Sequence, residues 1–478
     1  MNKTLLSTAL AGALLASGCS FIPTLERPAA PVPQNYPAAS QPAGAAAADI
    51  PWQQFFTDQR LQQLIDLALE NNRDLRVAVL NIEKARAQYQ IQRAQLFPEV
   101  GVAGSAARQR SQLTGQYGNT FSAGLQMPSW EIDFFGRIGS LKEQALAQYL
   151  ATEEGRKATQ ISLVSSVANA WLGLQADEEL LDISRRTLET REESIKLAKL
   201  RLDSGVASEL DFRQAQSLTE NARATLAQQT RQRDLDINAL TLLLGQTVPT
   251  ELLDSLKGKT LDGLPPLADV PAGLPSDLML RRPDIRQAEQ QMIAANANIG
   301  AARAMFFPSI SLTASAGFAS SDLSDLFKSS SKGFSIAPSL YLPLFNAGRN
   351  RANLEAAKAS EKIAAAQYEK AIQTAFREVS DALVSRQTLA DQLQSQEAQV
   401  EAESARLKLS DLRYRNGVAS YLDLLDAQRS LFALQQAVVQ VRLSQRQNQV
   451  LLYKALGGGW SVPAPEAVAS AAVAGKSQ

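Results

Sequence analysis

The 478-residue chain has no histidine and a single cysteine, Cys19. The first absence removes the commonest general base and metal ligand at neutral pH. The second rules out an intrachain disulfide and a thiolate metal cluster. No G-x-x-x-x-G-K-[ST] spacing occurs and no catalytic cluster stands out, so an enzyme is not expected, nor any metal or cofactor. Charge of either sign is lacking in excess. Lys plus Arg and Asp plus Glu both number 48, which argues against nucleic acid as a partner, since that would call for a basic surplus. Aromatics are scarce at 6%, and Ala-rich runs carry much of the 45% hydrophobic content. After the amino terminus no run reaches the roughly 18 apolar residues of a transmembrane helix, so any crossing of a membrane has to be made by strands.

Glycine and proline are missing in a telling way. Neither occurs from Arg349 to Asn416 or from Val418 to Leu456, and no proline lies between Pro128 and Pro249. These stretches predict helices near 138–203, 208–244, 349–416 and 420–456, the longest on the order of 100 Å at 1.5 Å per residue. Ile161, Val164, Ala168 and Trp171 follow helical spacing, as do Leu431, Leu434, Val438 and Val441. The narrow Ala-rich stripes suit antiparallel helical hairpins with coiled-coil packing. The turns of the two hairpins are copies of each other. RLDSGVASELDFRQAQ (Arg201 to Gln216) returns as RYRNGVASYLDLLDAQ (Arg413 to Gln428), 413 − 201 = 212 residues later. So long a period marks the duplication of a whole structural unit. The first repeat is taken as 51–262 and the second as 263–460, with a disordered tail over 461–478.

Between the helices the period changes to two. Ile310, Leu312, Ala314, Ala316 and Phe318 alternate with small polar residues, and so do Phe334, Ile336, Pro338, Leu340, Leu342 and Leu344. The first repeat offers Val100, Val102, Gly104 and Ala106, then Phe121, Ala123, Leu125 and Met127. Strands are expected near 99–109, 118–130, 308–319 and 333–345, joined by polar loops at Ser111 to Gln116 and Ser320 to Lys332. Their length and two-faced pattern fit membrane strands. Four strands cannot close a barrel, and an open edge is not tolerated in lipid. Several chains must therefore share one barrel; the sequence permits two, three or four subunits.

The amino terminus carries a short charged region, an apolar stretch from Leu5 to Ala16 and then Ala16-Ser17-Gly18-Cys19. This resembles a signal peptide (1–18) ending in a bacterial lipobox. The likeness implies lipidation of Cys19, and Ser20 after it implies sorting to the outer membrane. A proline-punctuated linker follows to residue 50.

A wider resemblance now covers essentially the whole mature chain. It rests on the lipobox, a helix over Asp58 to Asp74, Phe97-Pro98, Trp130-Glu131-Ile132-Asp133-Phe134-Phe135-Gly136-Arg137, Leu280-Arg281-Arg282-Pro283-Asp284, Phe306-Phe307-Pro308 and Leu456-Gly457-Gly458-Gly459-Trp460. Together these resemble the TolC-like outer membrane factor family, in particular the OprM-type lipoproteins of multidrug efflux systems. The resemblance implies a mainly α fold with a small β part: a homotrimer whose long hairpins form a periplasmic α-barrel and whose strands form a 12-stranded outer-membrane β-barrel. It implies a passive exit duct partnered by a periplasmic membrane-fusion adaptor and an inner-membrane, proton-driven RND-type pump. The alternatives are an exit duct for protein secretion and a non-pore coiled-coil lipoprotein.

On that footing the two Gly-Val-Ala-Ser turns face the pump, and Gly205, Val206, Gly417 and Val418 are candidates for the adaptor-docking tip. Leu422, Asp423 and Asp426 become candidates for the periplasmic gate, with Leu422 an apolar plug and the acids a ring of carboxylates. The resemblance adds Asp211, as a hydrogen-bond partner of Tyr414, to this gate. The basic residue the family often has just past the second glycine turn is Ala419 here.

Overall fold

The four alternating segments form one antiparallel sheet. Strands β1 (Gly101–Arg110), β2 (Tyr117–Ile132), β3 (Ser309–Ser320) and β4 (Lys332–Tyr341) lie in the order β1-β2-β3-β4. The computed structural model describes residues 20–36, 47–110, 112, 115–271, 278 and 281–460. The expected signal peptide, Cys19, most of the loop at 111–114 and the tail at 461–478 lie outside the described residues. The remaining elements are α1 (Trp52–Phe55), α2 (Gln59–Asn71), α3 (Arg73–Ala94), α4 (Arg137–Asp203), α5 (Glu209–Leu244), α6 (Thr250–Asp254), α7 (Pro283–Ala304), α8 (Arg349–Arg415) and α9 (Tyr421–Ala455). The fold is thus mainly helical with one small sheet. The described residues divide into two compact units, the first built from 20–30, Leu80–Glu154 and Ile285–Ala371, the second from the other described residues. Each unit takes segments from both sequence repeats, because β2 of the first repeat pairs with β3 of the second.

In the first unit the register decides which side chains share a face. Val102, Leu125, Ala316 and Phe334 stand opposite one another in a row across the sheet. Residues two apart along each strand extend this apolar face through Phe121, Phe318, Ile336 and Leu340. The opposite face is small and polar: the Ser105 and Ser122 hydroxyls meet at 2.8 Å, and those of Ser311 and Ser339 at 2.7 Å. A bulge at Pro128–Ser129 takes up an extra residue between Met127 and Trp130, so Trp130, opposite Leu312, stays on the apolar face. The alternation of β4 runs on to Leu344 in the sequence, but pairing stops at Tyr341, opposite Ser309, where β3 begins. Beyond it Pro343 has no N–H to donate.

The Trp130–Arg137 motif is the corner from β2 into α4. Glu131 pairs with Arg137 at 2.5 Å, and the Asp133 carboxylate accepts from the N–H groups of Ile138 and Gly139 at 3.0 and 2.6 Å. Asp133 thereby satisfies donors that the first turn of a helix leaves open. Gly136 takes a positive φ of 67°, as does Gly348 (83°) before α8. Residues 21–27 run antiparallel along α7. Arg303 donates to the Phe21 carbonyl at 3.2 Å, Asn296 to that of Pro23 at 2.9 Å, and Glu289 pairs with Arg27 at 2.8 Å. Phe21 stacks on Phe307 at 4.5 Å.

In the second unit the helix expected over Asp58 to Asp74 is divided at Asn72. Its backbone is extended (φ −62°, ψ 131°), its carbonyl oxygen Oδ1 accepts from Leu75 N–H, and its Nδ2 donates to the Leu243 carbonyl at 2.9 Å. Asn72 ends α2 and caps α3, a double role that asparagine suits because it bonds locally to backbone. Phe55 stacks on Tyr453 at 3.9 Å, and the Tyr453 hydroxyl donates to the Ile50 carbonyl at 2.6 Å. Buried Arg282 donates to Asp284, Glu378 and the Ala455 carbonyl at 2.6, 2.9 and 2.8 Å. It gathers the start of α7, the shaft of α8 and the end of α9. Among the described residues no helix is long and apolar enough to cross a membrane, and no group of acids or cysteine could hold a metal ion.

Candidate functional site

Each hairpin turn is assembled from the same two devices. Gly205 and Gly417 have φ of 71° and 73°. Val206 N–H donates to the Arg201 carbonyl at 2.8 Å and Gly205 N–H to that of Leu202 at 2.9 Å, while Val418 and Gly417 repeat this on Arg413 and Tyr414 at 2.9 and 3.0 Å. These are Schellman closures of α4 and α8. Ser208 and Ser420 then cap α5 and α9. Each hydroxyl accepts from the N–H three residues on, at Asp211 and Asp423, and each aspartate accepts from the serine's own N–H. The shared G-V-A-S-x-L-D pattern is therefore explained by turn geometry for Gly, Ser and Asp. The apolar members are left over: Val206 and Val418 are both 68% exposed, and Leu210 and Leu422 are exposed as well. In a Schellman turn the residue at the Val position usually packs back onto its own helix. In neither copy is that valine buried.

The candidate gate residues fall around one small core. Ala198, Ala215, Leu218, Tyr421, Leu424 and Leu425 form it, with Phe212 and Tyr414 packed against its side. Tyr414 and Tyr421 rings lie 5.2 Å apart, and the Arg201 guanidinium sits 4.8 Å from the Tyr414 ring. Burial raises the Tyr414 phenol above its usual range; Arg201 opposes this and Asp211 adds to it. Burial likewise pushes Tyr421 up to about 12. Asp211 is thus close enough to act on Tyr414 through space, but its Oδ2 accepts from the Ser208 hydroxyl at 2.9 Å and no bond joins it to Tyr414. Asp423 is engaged in the same way with Ser420. Asp426, absent from the first copy, pairs with Arg406 of α8, which also holds Glu403 at 2.7 Å. Arg201 and Arg406 were not singled out from the sequence. Arg406 lies twenty residues before its partner on the facing helix, a distance that carries no local pattern. Arg201 did leave a trace, since the duplication keeps it as Arg413.

Three kinds of likeness to known proteins match this geometry. The model of the family described as outer membrane efflux protein matches residues 64–246 and 274–458. The chain is 50% identical over 471 residues to the probable efflux pump outer membrane protein TtgC of Pseudomonas putida, covering 96% of each chain. It is 44% identical over 460 residues to the outer membrane protein OprJ of Pseudomonas aeruginosa, covering 95% of each. Among solved structures, the open state of the Neisseria gonorrhoeae MtrE outer membrane channel superposes with a TM-score of 0.84 at 40% identity, over 93% of this chain and 99% of that one. The Campylobacter jejuni CmeC outer membrane channel gives a TM-score of 0.85 at 27% identity, over 95% and 98%.

Proposed function

The chain belongs to the outer membrane efflux protein family, and from that premise we propose that three copies form the passive exit duct of a tripartite drug or solvent efflux system. It is an outer-membrane efflux component, as its relatives are. The observation that carries the duct reading is the sheet. Its apolar face is continuous, its other face is lined mainly by serine, threonine, glycine and alanine, and the outer edges of β1 and β4 pair with no strand among the described residues. Such a sheet is stable in lipid only when other copies complete it. Three copies would give twelve strands, with the apolar face toward lipid and the small polar face toward a water-filled lumen.

The rest follows from the placement of the tips. Lipid on Cys19 anchors the chain, and the turns at Gly205–Val206 and Gly417–Val418 close the C-terminal ends of α4 and α8. They meet a periplasmic adaptor, which links the duct to an inner-membrane pump that supplies the energy. Paired valines left mostly exposed by their own chain are surface suited to a helical partner's apolar tip. Leu422, Asp423 and Asp426 narrow the entrance. Asp426 brings a carboxylate to it, Arg406 partly offsets that charge, and Leu422 closes it to water. The test is direct: the purified protein should run as a heat-modifiable trimer and conduct ions in planar bilayers. A monomer without conductance would overturn the duct.

A further inference from the structure

We propose that the groove between α4 and α8, just above the tip, is a binding site for a small amphipathic organic anion, with the buried guanidinium of Arg191 as its charge partner. Arg191 lies on α4 and is only 6% exposed. Among the described residues no carboxylate comes within ion-pair distance of it, and its side chain bonds to the neutral Gln428 Oε1. Burial disfavours its ionised form, and the like charge of Arg429 acts in the same direction. Arginine nevertheless stays charged in proteins. A buried cation without an anion is an unusual thing to find in a folded chain, because such charges are normally paired or hold a ligand.

Space for that ligand lies beside it. A cavity of about 240 Å³ is lined by Arg191, Gln428 and Phe432, and a second of about 460 Å³ adjoins it, sharing Thr190, Leu407 and Gln428. The larger one has an apolar floor of Ala198, Tyr421 and Leu424, with Arg201 and Lys408 also lining it. Of the acids and remaining cations on these walls, Asp411 is paired with Arg415 at 2.8 Å, Arg186 is paired with Asp182, and Glu193 stands at the exposed edge. The lining therefore has a surplus of positive charge. The combined volume is that of a small-molecule site, where apolar walls and a few placed polar groups fix one ligand. A buried cation in one cavity with an apolar floor in the next selects an anionic head, such as a carboxylate, sulfonate or phosphate monoester, joined to a compact apolar body. A ligand there touches α4 of the first repeat and α8 and α9 of the second. It would couple the two hairpins immediately above the turns.

The probe is naphthalene-2-sulfonate, titrated by calorimetry into the full-length protein in a neutral detergent, with naphthalene-2-sulfonamide as the uncharged counterpart. Saturable binding of one probe per chain is expected, at least tenfold tighter than the sulfonamide. Arg191→Gln should weaken it tenfold or more, about 1.4 kcal/mol, and Arg191→Lys should retain most of it. Removing an unpaired buried charge is tolerated by a fold, so Arg191→Gln should yield protein. Leu197→Trp, which fills the larger cavity from its rim, gives an independent loss of binding that leaves Arg191 in place. The proposal is overturned by absence of saturable binding, by equal binding of the sulfonamide, or by binding that Arg191→Gln leaves unchanged. Equally tight binding of inorganic sulfate would refute an organic ligand. A trimer that Arg191→Gln dissociates would show that a second copy already supplies the missing anion.

Discussion

Replacing Gly317 by alanine tests the geometry of the sheet at its most demanding point. Ala103, Gly124, Gly317 and Gly333 form one row on the small polar face. A Cβ on Gly317 would lie 2.4 Å from the Ala123 carbonyl oxygen and 2.5 Å from Gly124 Cα, and one on Gly124 would lie 2.6 Å from Gly317 Cα. Both obstacles are backbone, so no side chain can swing aside. Overpacking of this kind costs about 1–3 kcal/mol. At Gly333, in the same row, an added Cβ meets nothing within 4 Å. Alanine there should instead gain roughly 0.5–1 kcal/mol, since glycine inside a strand loses more chain entropy on folding. The two substitutions should therefore separate by about 1.5–4 kcal/mol per chain, the sum of those two effects. The assay is the temperature at which the detergent-resistant oligomer dissociates, together with the yield of assembled protein in the outer membrane. Gly317→Ala should dissociate at a clearly lower temperature than wild type, and Gly333→Ala at the same temperature or higher. If the two behave alike, the close approach of β2 and β3 is not a constraint on this fold.

Other outcomes follow from the same contacts. Val206→Asp with Val418→Asp should cost little stability, since both side chains are two-thirds exposed, yet abolish adaptor capture in a pull-down; undiminished capture would remove the docking role. Leu422→Ala with Asp426→Ala should raise single-channel conductance, and unchanged conductance would remove these residues from the gate. Asp177 is buried in α4 beside Asp236, and burial followed by that neighbour pushes its carboxyl up to about 8. Its proton is held in the folded state and lost in the unfolded one, so this carboxyl costs stability increasingly as pH rises from about 4 to 8. Asp177→Asn should thus melt above wild type at pH 8, with the gap closing toward pH 4; a gap independent of pH would contradict the shared proton.

What could be read from the chain was whatever repeats locally. Freedom from proline marked α4, freedom from both glycine and proline marked α8 and α9, alternation marked the strands, and the copied G-V-A-S marked the turns. Each depends on neighbours a few residues apart, and each was legible for that reason. The break at Asn72 was not, because one of its two side-chain bonds is to the carbonyl of Leu243, 171 residues away. The bulge at Pro128–Ser129 was hidden likewise, since an extra residue has meaning only against the strand it faces.

The sequence by itself determined the duplication, the two periods and the need for more than one chain, since four alternating strands cannot close a membrane barrel. It also singled out the tip, but not which of its residues build the turns. Only the tertiary structure decided that. It used Gly, Ser and Asp to close and cap the helices and left Val206 and Val418 in solvent. It also gave Asp426 a partner in Arg406 and left Arg191 without an anion among the described residues. Charge pairing and burial are decided by which helices come together in space, and a list of residues in order does not contain that.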